Sequence, residues 1–450
     1  GGTEDIFDGE SNFSVSMWMK GWPNAAGESI IGKDQFDPSA FGSLKAWLDA
    51  TNPDYFSKDG TVNPPSSGDT ISKWYDLSGH NHHAVVALGT PKWNSSLINS
   101  RPGADLNGAR MTLENSETSM DGWSKLHVFT TFQFNSNTTW QYSFGKTTNV
   151  NSASQAAWHF GYRRGDYNPP IVRGWVVNSS GTSFTNEGME ALTASIKSNL
   201  GLLVFSYDES NFTIRIDGTQ WKTITASGTL QSLPTTPVSL NQGHDMKFGE
   251  FLVFEDSLSS ADEQKIEGYL AHKWGLNGDL PSGHTYKIAA PSAGWGIKRS
   301  SSGNDSLTLN MVGAGGEFSK NVPVNDNEWH HIVTTYGGGT KKIYVDGKEV
   351  GSASQTGTVT ASNYKMALGH IIPFGNPDRP NLDDVRFYSV ALSAAEVAAI
   401  YNKGAGDIDQ PKFAITSPSS VKASVGRSIS YRITADTAYG MTGYNSTITY

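Results

Sequence analysis

Two stretches of the chain repeat one another, and this self-similarity constrains the fold more than any other feature of the sequence. LLVFSYDESNFTIRIDGTQW runs from Leu202 to Trp221, and WHHIVTTYGGGTKKIYVDGKEV runs from Trp329 to Val350. Each is an alternating apolar strand, a short polar turn and a second alternating strand that ends in Asp-Gly. Apolar residues at period two, closed at Asp217-Gly218 or Asp346-Gly347, form the pattern of an antiparallel hairpin. Tyr207 precedes Asp217 by the same spacing at which Tyr336 precedes Asp346.

Each copy is followed by a second shared element. FGEFLVFEDSLSSADEQKIEGYLAHKWG (Phe248 to Gly275) and LDDVRFYSVALSAAEVAAIYNKG (Leu382 to Gly404) read as strand, turn and short helix. Ser260 with Glu263, and Ser393 with Glu396, have the spacing of a capping box. Two copies predict two related domains, all-β apart from these helices.

The beginnings of the copies predict an interruption. Between Gly275 and Trp329 there are too few strands for a whole sandwich. NFSVSMWMKGWPNAAGESIIGK near the N-terminus supplies a start, continued by GWGIKRSSSGNDSLTLNMVG from Gly294 to Gly313. The other copy has its own start in LKAWLDA, ISKWYDLSGHNHHA and LHVFTTFQF. The expected organisation is an outer domain in two pieces, 4–35 and 292–407, with a second domain, 36–291, inserted in one of its loops. Insertion at an exposed loop is tolerated because a domain's termini often lie close together. Residues 411–450, after the linker GAGDIDQP, read as the opening strands of an Ig-like module, broken off before its core could close.

Composition narrows the function classes. The net charge is −9 with acidic residues scattered, which disfavours nucleic acid or an anionic membrane as partner, since either needs a basic face. Cysteine is absent, which excludes disulfide scaffolds, thiolate metal sites and cysteine nucleophiles. No apolar run is long enough for membrane insertion.

The segment NDNEWHHIVTTYGGGTKKIYVDGKEVGS, with LDDVRFYSVALSAAEVAAIY, resembles the bacterial laminin G-like type of the concanavalin A-like lectin/glucanase superfamily. The inserted copy resembles a divergent relative found in large secreted proteins of marine bacteria, and the tail resembles Ig-like modules of RTX-type adhesins. The resemblance implies a jelly-roll sandwich of two antiparallel sheets for each domain, which alternation and turn density also call for. It implies a binding region, monomeric within a multidomain chain, of an extracellular or cell-surface bacterial adhesin that recognises a glycan or glycoprotein with Ca²⁺. The alternative is an accessory carbohydrate-binding or spacer region of a secreted polysaccharide-degrading enzyme.

Because the superfamily includes glycoside hydrolases, catalysis has to be tested. A retaining glycosidase needs two carboxylates about 5–5.5 Å apart. The family's glucanases supply them from one strand as Glu-x-Asp-x-(x)-Glu, which this chain lacks. Its nearest pairs, Glu250 with Glu255 and Asp383 with Asp384, have odd separations that turn the side chains to opposite faces. The chain is therefore expected not to be an enzyme.

Three places offer ligand chemistry. AAWHFGYRRGDYNPPIVRGW (Ala156 to Trp175) reads as a loop offering Trp158, Tyr162, Arg163, Arg164, Asp166, Tyr167 and Asn168, aromatic faces and planar polar groups that suit a sugar. GHIIPFGNPDRPN offers His370 and Arg379 to a ligand, and Asn376 and Asp378 to a bridging Ca²⁺. By the resemblance, Asp383 matches a Ca²⁺ ligand of the family, where the inserted copy has Gly249. Asp76, His80, His82 and His83 invite a metal reading, but Asp-Leu-Ser-Gly-His-Asn is first of all turn chemistry. Trp18, Trp47 and Trp329 fall in strand patterns and read as core.

Overall fold

The computed structural model describes residues 7–22, 29–33, 36–58, 63–134, 140–148, 155–163, 171–188, 200–300, 306–362, 364, 366–368 and 380–403, and the backbone of 413–414 and 434–435. They gather into two compact units. One draws on Gly1–Ala40 and on segments after Ser292, and the other on Phe41–Pro291. Both are built from antiparallel sheets.

In the first unit, Phe13–Lys20 is an interior strand of its sheet. It lies between Trp329–Gly337 and Asn381–Tyr388, with Thr340–Val345 and Lys348–Ser354 beyond the former. Val15 stands opposite Thr334 on one side and Phe387 on the other. Alternation then sorts the faces. Phe13, Val15 and Met17 meet Ile332, Tyr336 and Ile343 in a core completed by Trp295, Ile297 and Leu309 of the second sheet. That sheet runs Gly316–Asn321, Ser306–Met311, Trp295–Arg299, Ser29–Gly32, Ala367–Leu368. Each large apolar side chain so buried contributes about 1.5–3 kcal/mol.

The second unit repeats the plan with more strands. Leu126–Phe134 pairs with Leu200–Tyr207 and Met246–Phe254 in one sheet. The other runs, in order, Ser183–Gly188, Ile171–Val177, Ala156–Arg163, Trp140–Thr147, Val238–Leu240, Arg110–Leu113, Ala84–Leu88, Ile71–Trp74, Phe56–Lys58. Phe132, Phe205 and Phe251 from the first sheet interleave with Phe144, Trp158 and Phe160 from the second.

The sequence repeat is reproduced bond for bond. Asp217 and Asp346 both adopt left-handed backbone, at φ 49° and 48°. This conformation is tolerated by Asp, whose side chain bonds locally. The Asp217 Oδ1 accepts from the Leu202 N–H at 2.9 Å, and Asp346 Oδ1 from the His331 N–H at 2.9 Å. The Tyr207 hydroxyl donates to the Gly228 carbonyl and that of Tyr336 to the Gly357 carbonyl, each 21 residues further along.

Three α-helices stand among the described residues: α1 (Ser116–Ser119), α2 (Ser260–Trp274) and α3 (Ala394–Lys403). Val397 and Ile400 of α3, with Leu392, cover Val333, Tyr344 and Tyr388 on the outer face of the first unit's sheet. The expected box at α3 forms: the Ser393 N–H donates to Glu396 Oε2 at 2.7 Å, and the Glu396 N–H to Ser393 Oγ at 3.3 Å. At α2 the cap is Ser259, not Ser260; its Oγ accepts from the Asp262 N–H at 3.1 Å. Glu263, the expected partner, is held by Arg215 at 2.9 Å, which leaves Asp262 to complete the turn. Trp329 is 43% exposed rather than core, while Trp18 and Trp47 are half-buried. No helix is long and apolar enough to cross a membrane among the described residues. The Ig-like expectation for 411–450 lies outside them, save for the backbone of Phe413–Ala414 and Thr434–Ala435, short strands beyond Asn381–Tyr388.

Candidate functional site

On Ala156–Arg163, Trp158 and Phe160 enter the core, so period-two alternation turns His159 to the opposite face of the nine-stranded sheet. Register extends that face across the strands. His159 pairs with Trp175 on one side and Gly145 on the other, and Gly145 continues to Ser239 and Thr112. A Cβ on Gly145 would lie 2.5 Å from that of His159, so only glycine lets these two strands approach.

Rings line this face. The His159 and Trp175 centroids are 5.0 Å apart at 72°, Tyr142 stands 5.8 Å from His159, and His244 stands 5.9 Å from Tyr142. Trp175, Tyr142 and His244 are half-buried, whereas His159 is fully buried among them. Among the described residues, neither ring nitrogen of His159 has a hydrogen-bond partner, nor does Trp175 Nε1. Burial, and then the charge of Arg173, push the His159 imidazole down to about 3. The ring is therefore neutral, with one nitrogen that donates and one that accepts. An unmet buried polar group costs about 1–3 kcal/mol, so His159 and Trp175 carry an unreturned desolvation cost on this face.

The first unit has an equivalent row without the rings. Gly32 pairs with Gly296, and Gly296 with Asn310, on the face turned away from Trp295, Ile297 and Leu309.

The residues singled out in the sequence fall differently. Ala156 to Trp175 is a strand pair, Ala156–Arg163 with Ile171–Val177, rather than a loop throughout. Trp158 is 1% exposed and packs 6.0 Å from Phe205, so it is a core residue and not a ligand platform. Tyr162 and Arg163 occupy the end of the first strand. Arg164, Asp166, Tyr167, Asn168, His370, Asn376, Asp378 and Arg379 lie outside the described residues. Sequence reasoning passed over His159, Trp175, Tyr142 and His244. The alternation Trp158, Phe160 already placed His159 and its neighbours on the free face.

Asp383 is exposed, and its Oδ1 accepts from the Asp384 N–H at 2.8 Å. Asp384 grips the Arg386 guanidinium through both oxygens, at 2.7 and 2.6 Å. No cluster of three His, Asp or Glu side chains suited to a metal occurs among the described residues. Asp383 alone falls short of the six to eight oxygens that Ca²⁺ takes. Asp76 behaves as turn chemistry requires: its carboxylate accepts from the N–H groups of Trp47, Ser78 and His82. His83 Nδ1 accepts from the Asp76 N–H, and His82 Nδ1 lies 2.8 Å from the Glu114 carbonyl.

The carboxylates weighed as a glycosidase pair do not share a cleft. Glu250 is sealed beneath α2 and takes bonds from Trp47 Nε1 at 2.7 Å, Tyr269 OH at 2.9 Å and Trp274 Nε1 at 3.1 Å. Lys273 Nζ lies 2.7 Å from both Glu250 and Asp49. Glu255 pairs with Lys45 at 2.9 Å in the open.

Residues 278–398 match a laminin G-like family model described as the concanavalin A-like lectin/glucanases superfamily. This segment of the chain is thus similar to that superfamily, in keeping with the sandwich fold. No curated protein matches the sequence. Among solved structures, one similar chain is domain 4 of AbnA, a GH43 extracellular arabinanase from Geobacillus stearothermophilus, in complex with arabinotriose. It is 14% identical with a TM-score of 0.35, over 49% of this chain and 95% of that one. Another is the binding domain of botulinum neurotoxin DC in complex with rat synaptotagmin II, 12% identical with a TM-score of 0.35, over 79% and 96%. Scores this low say nothing about ligand or site.

Proposed function

We propose that the chain is a non-catalytic, glycan-binding region of a bacterial cell-surface or secreted adhesin, with the second unit carried as an insertion in the first. The observation that supports it is the unmet polar nitrogens of His159 and Trp175 beside the half-buried rings of Trp175, Tyr142 and His244. A pyranose or furanose presents apolar C–H faces that stack on Trp175 or Tyr142. Its hydroxyls donate and accept at once, which is what a neutral imidazole beside an indole N–H lacks in the free protein. Each such bond made in a desolvated site is worth about 0.5–1.5 kcal/mol.

The test is a glycan array probed with the full chain and with Trp175→Ala and His159→Ala, each with and without EDTA. Specific binding to a defined glycan that both substitutions abolish supports the reading. Binding unaffected by either removes this face as the site, and no binding to any glycan removes the function. Loss of binding in EDTA would favour a Ca²⁺ held by Asn376, Asp378 and Asp383 in place of direct recognition.

A further inference from the structure

We propose that the ligand of this face is an acidic glycan, whose carboxylate or sulfate group pairs with Arg110. This rests on the sugar-binding reading above and names the class of sugar. Met111 and Leu113 enter the core, so Arg110 and Thr112 face the same side as His159 and Trp175. Arg110 stands opposite Leu88, which is 52% exposed. Its Nη1 donates to Gln242 Oε1 at 3.1 Å, a neutral acceptor, and its Nε is buried without a partner among the described residues. Among the described residues no carboxylate pairs with it.

That is not for want of carboxylates, since the chain has 43 Asp and Glu against 34 Lys and Arg. Several other shielded cations do have a carboxylate: Arg215 pairs with Glu267 at 2.8 Å, Arg386 with Asp384 at 2.6 Å, and Lys73, on this same face, with Glu114 at 3.0 Å, whereas the buried Lys341 donates to the Gly316 carbonyl. A guanidinium left half-buried on a neutral amide retains unused N–H donors in the planar fork that fits a carboxylate or sulfate.

Arg110 is also joined to the rings. Gln242 and His244 belong to one turn organised by the buried Asn241, whose Oδ1 accepts from the N–H of both, at 2.9 and 3.1 Å. The Asn241 Nδ2 donates in turn to the carbonyls of Leu106, Ala109 and His244. The turn is thereby fixed before any ligand arrives, and His244 leads on to Tyr142, His159 and Trp175. A sugar on the rings would carry its acidic substituent toward Arg110.

The experiment is calorimetry on the full chain with length-matched neutral, uronate and sulfated oligosaccharides at low and high salt, using wild type, Arg110→Gln and Arg110→Lys. The expected result is an acidic oligomer bound about tenfold or more tighter than the neutral one, the usual scale of a charge-assisted bond. The margin should shrink at high salt, collapse in Arg110→Gln and persist in part in Arg110→Lys. The uronate and sulfated arms decide which group is preferred. Neutral and acidic oligomers bound alike by wild type, or weakened alike by Arg110→Gln, would overturn the proposal while leaving a sugar site. Failure of every oligomer to bind would overturn the sugar reading itself. A melting curve checks the fold of Arg110→Gln; should it not fold, the wild-type preference, its salt dependence and Arg110→Lys decide.

Discussion

Replacing Lys273 with methionine removes the ammonium that lies between two carboxylates sealed by α2. Its side chain is 4% exposed, as is that of Asp49, and that of Glu250 is 0%. Breaking a buried pair from one side costs about 3–5 kcal/mol, because the remaining charge is left unpaired out of water. For a unit of this size that corresponds to a fall in Tm of roughly 6–20 °C. Burial already pushes the Glu250 carboxyl above its ordinary range, Lys273 pulls it down and Asp49 pushes it up. Without Lys273 it rises further, so the folded state holds a proton more tightly than the unfolded one. Stability is then highest below the unfolded carboxylate value and falls as pH climbs toward the folded one. The Lys273→Met penalty should therefore be full in mildly alkaline buffer and shrink on acidification. Urea unfolding followed by tryptophan fluorescence reads it directly, since Trp47 and Trp274 both donate to Glu250. Adding Glu250→Gln should recover part of the loss. A penalty within about 0.5 kcal/mol of wild type near neutrality, the range of an ordinary surface change, would refute the reasoning, as would one indifferent to pH.

Tyr207→Phe and Tyr336→Phe should each cost about 0.5–1.5 kcal/mol in denaturant unfolding, since each removes the hydroxyl donor to a carbonyl, of Gly228 or Gly357. Similar losses from both would confirm that the two bonds are one device used twice. Gly145→Ala and Gly32→Ala should destabilise by about 1–3 kcal/mol, because the new Cβ would meet His159 Cβ at 2.5 Å and Gly296 Cα at 2.4 Å; calorimetric melting measures it. Burial lowers the His330 imidazole, but hydrogen bonds to Asp346 and Asp326 outweigh it and raise the net value. Its stabilisation is thus complete below the unfolded histidine value and fades as pH rises through the folded one. His330→Gln should therefore cost more stability in mildly acidic than in alkaline buffer, as paired urea titrations would show.

The hairpins, their Asp-Gly closures and the helix after each copy were legible because their signals are local: alternation, turn residues and caps. Ser393 and Glu396 sat alone and could be read, whereas Ser259 and Ser260 both qualified as caps, and in the fold Ser259 bonds Asp262 while Glu263 is engaged by Arg215. Ala156 to Trp175 was misread because the dense Gly, Pro, Asn and Asp of its middle outweighed the alternation at its ends. Trp158 looked like a platform for the same reason, since an indole suits a core as well as a sugar. His159 could be placed on a face from sequence. Its lack of hydrogen-bond partners could not, for that depends on strands distant along the chain. Nothing local told that Arg110 would find an amide rather than an acid.

The first unit's interior strand also imposes an order of events. Ser14 on Phe13–Lys20 bonds to the Val390 carbonyl 376 residues later, past the strand on its far side. At about 5–20 residues per second of synthesis, this segment waits roughly 20–75 s for its last neighbour. Meanwhile everything the Phe41–Pro291 unit needs has already emerged. Synthesis thus delivers the Phe41–Pro291 unit before either neighbour of Phe13–Lys20, and this hydrophobic segment spends most of that interval with both edges open to the wrong company.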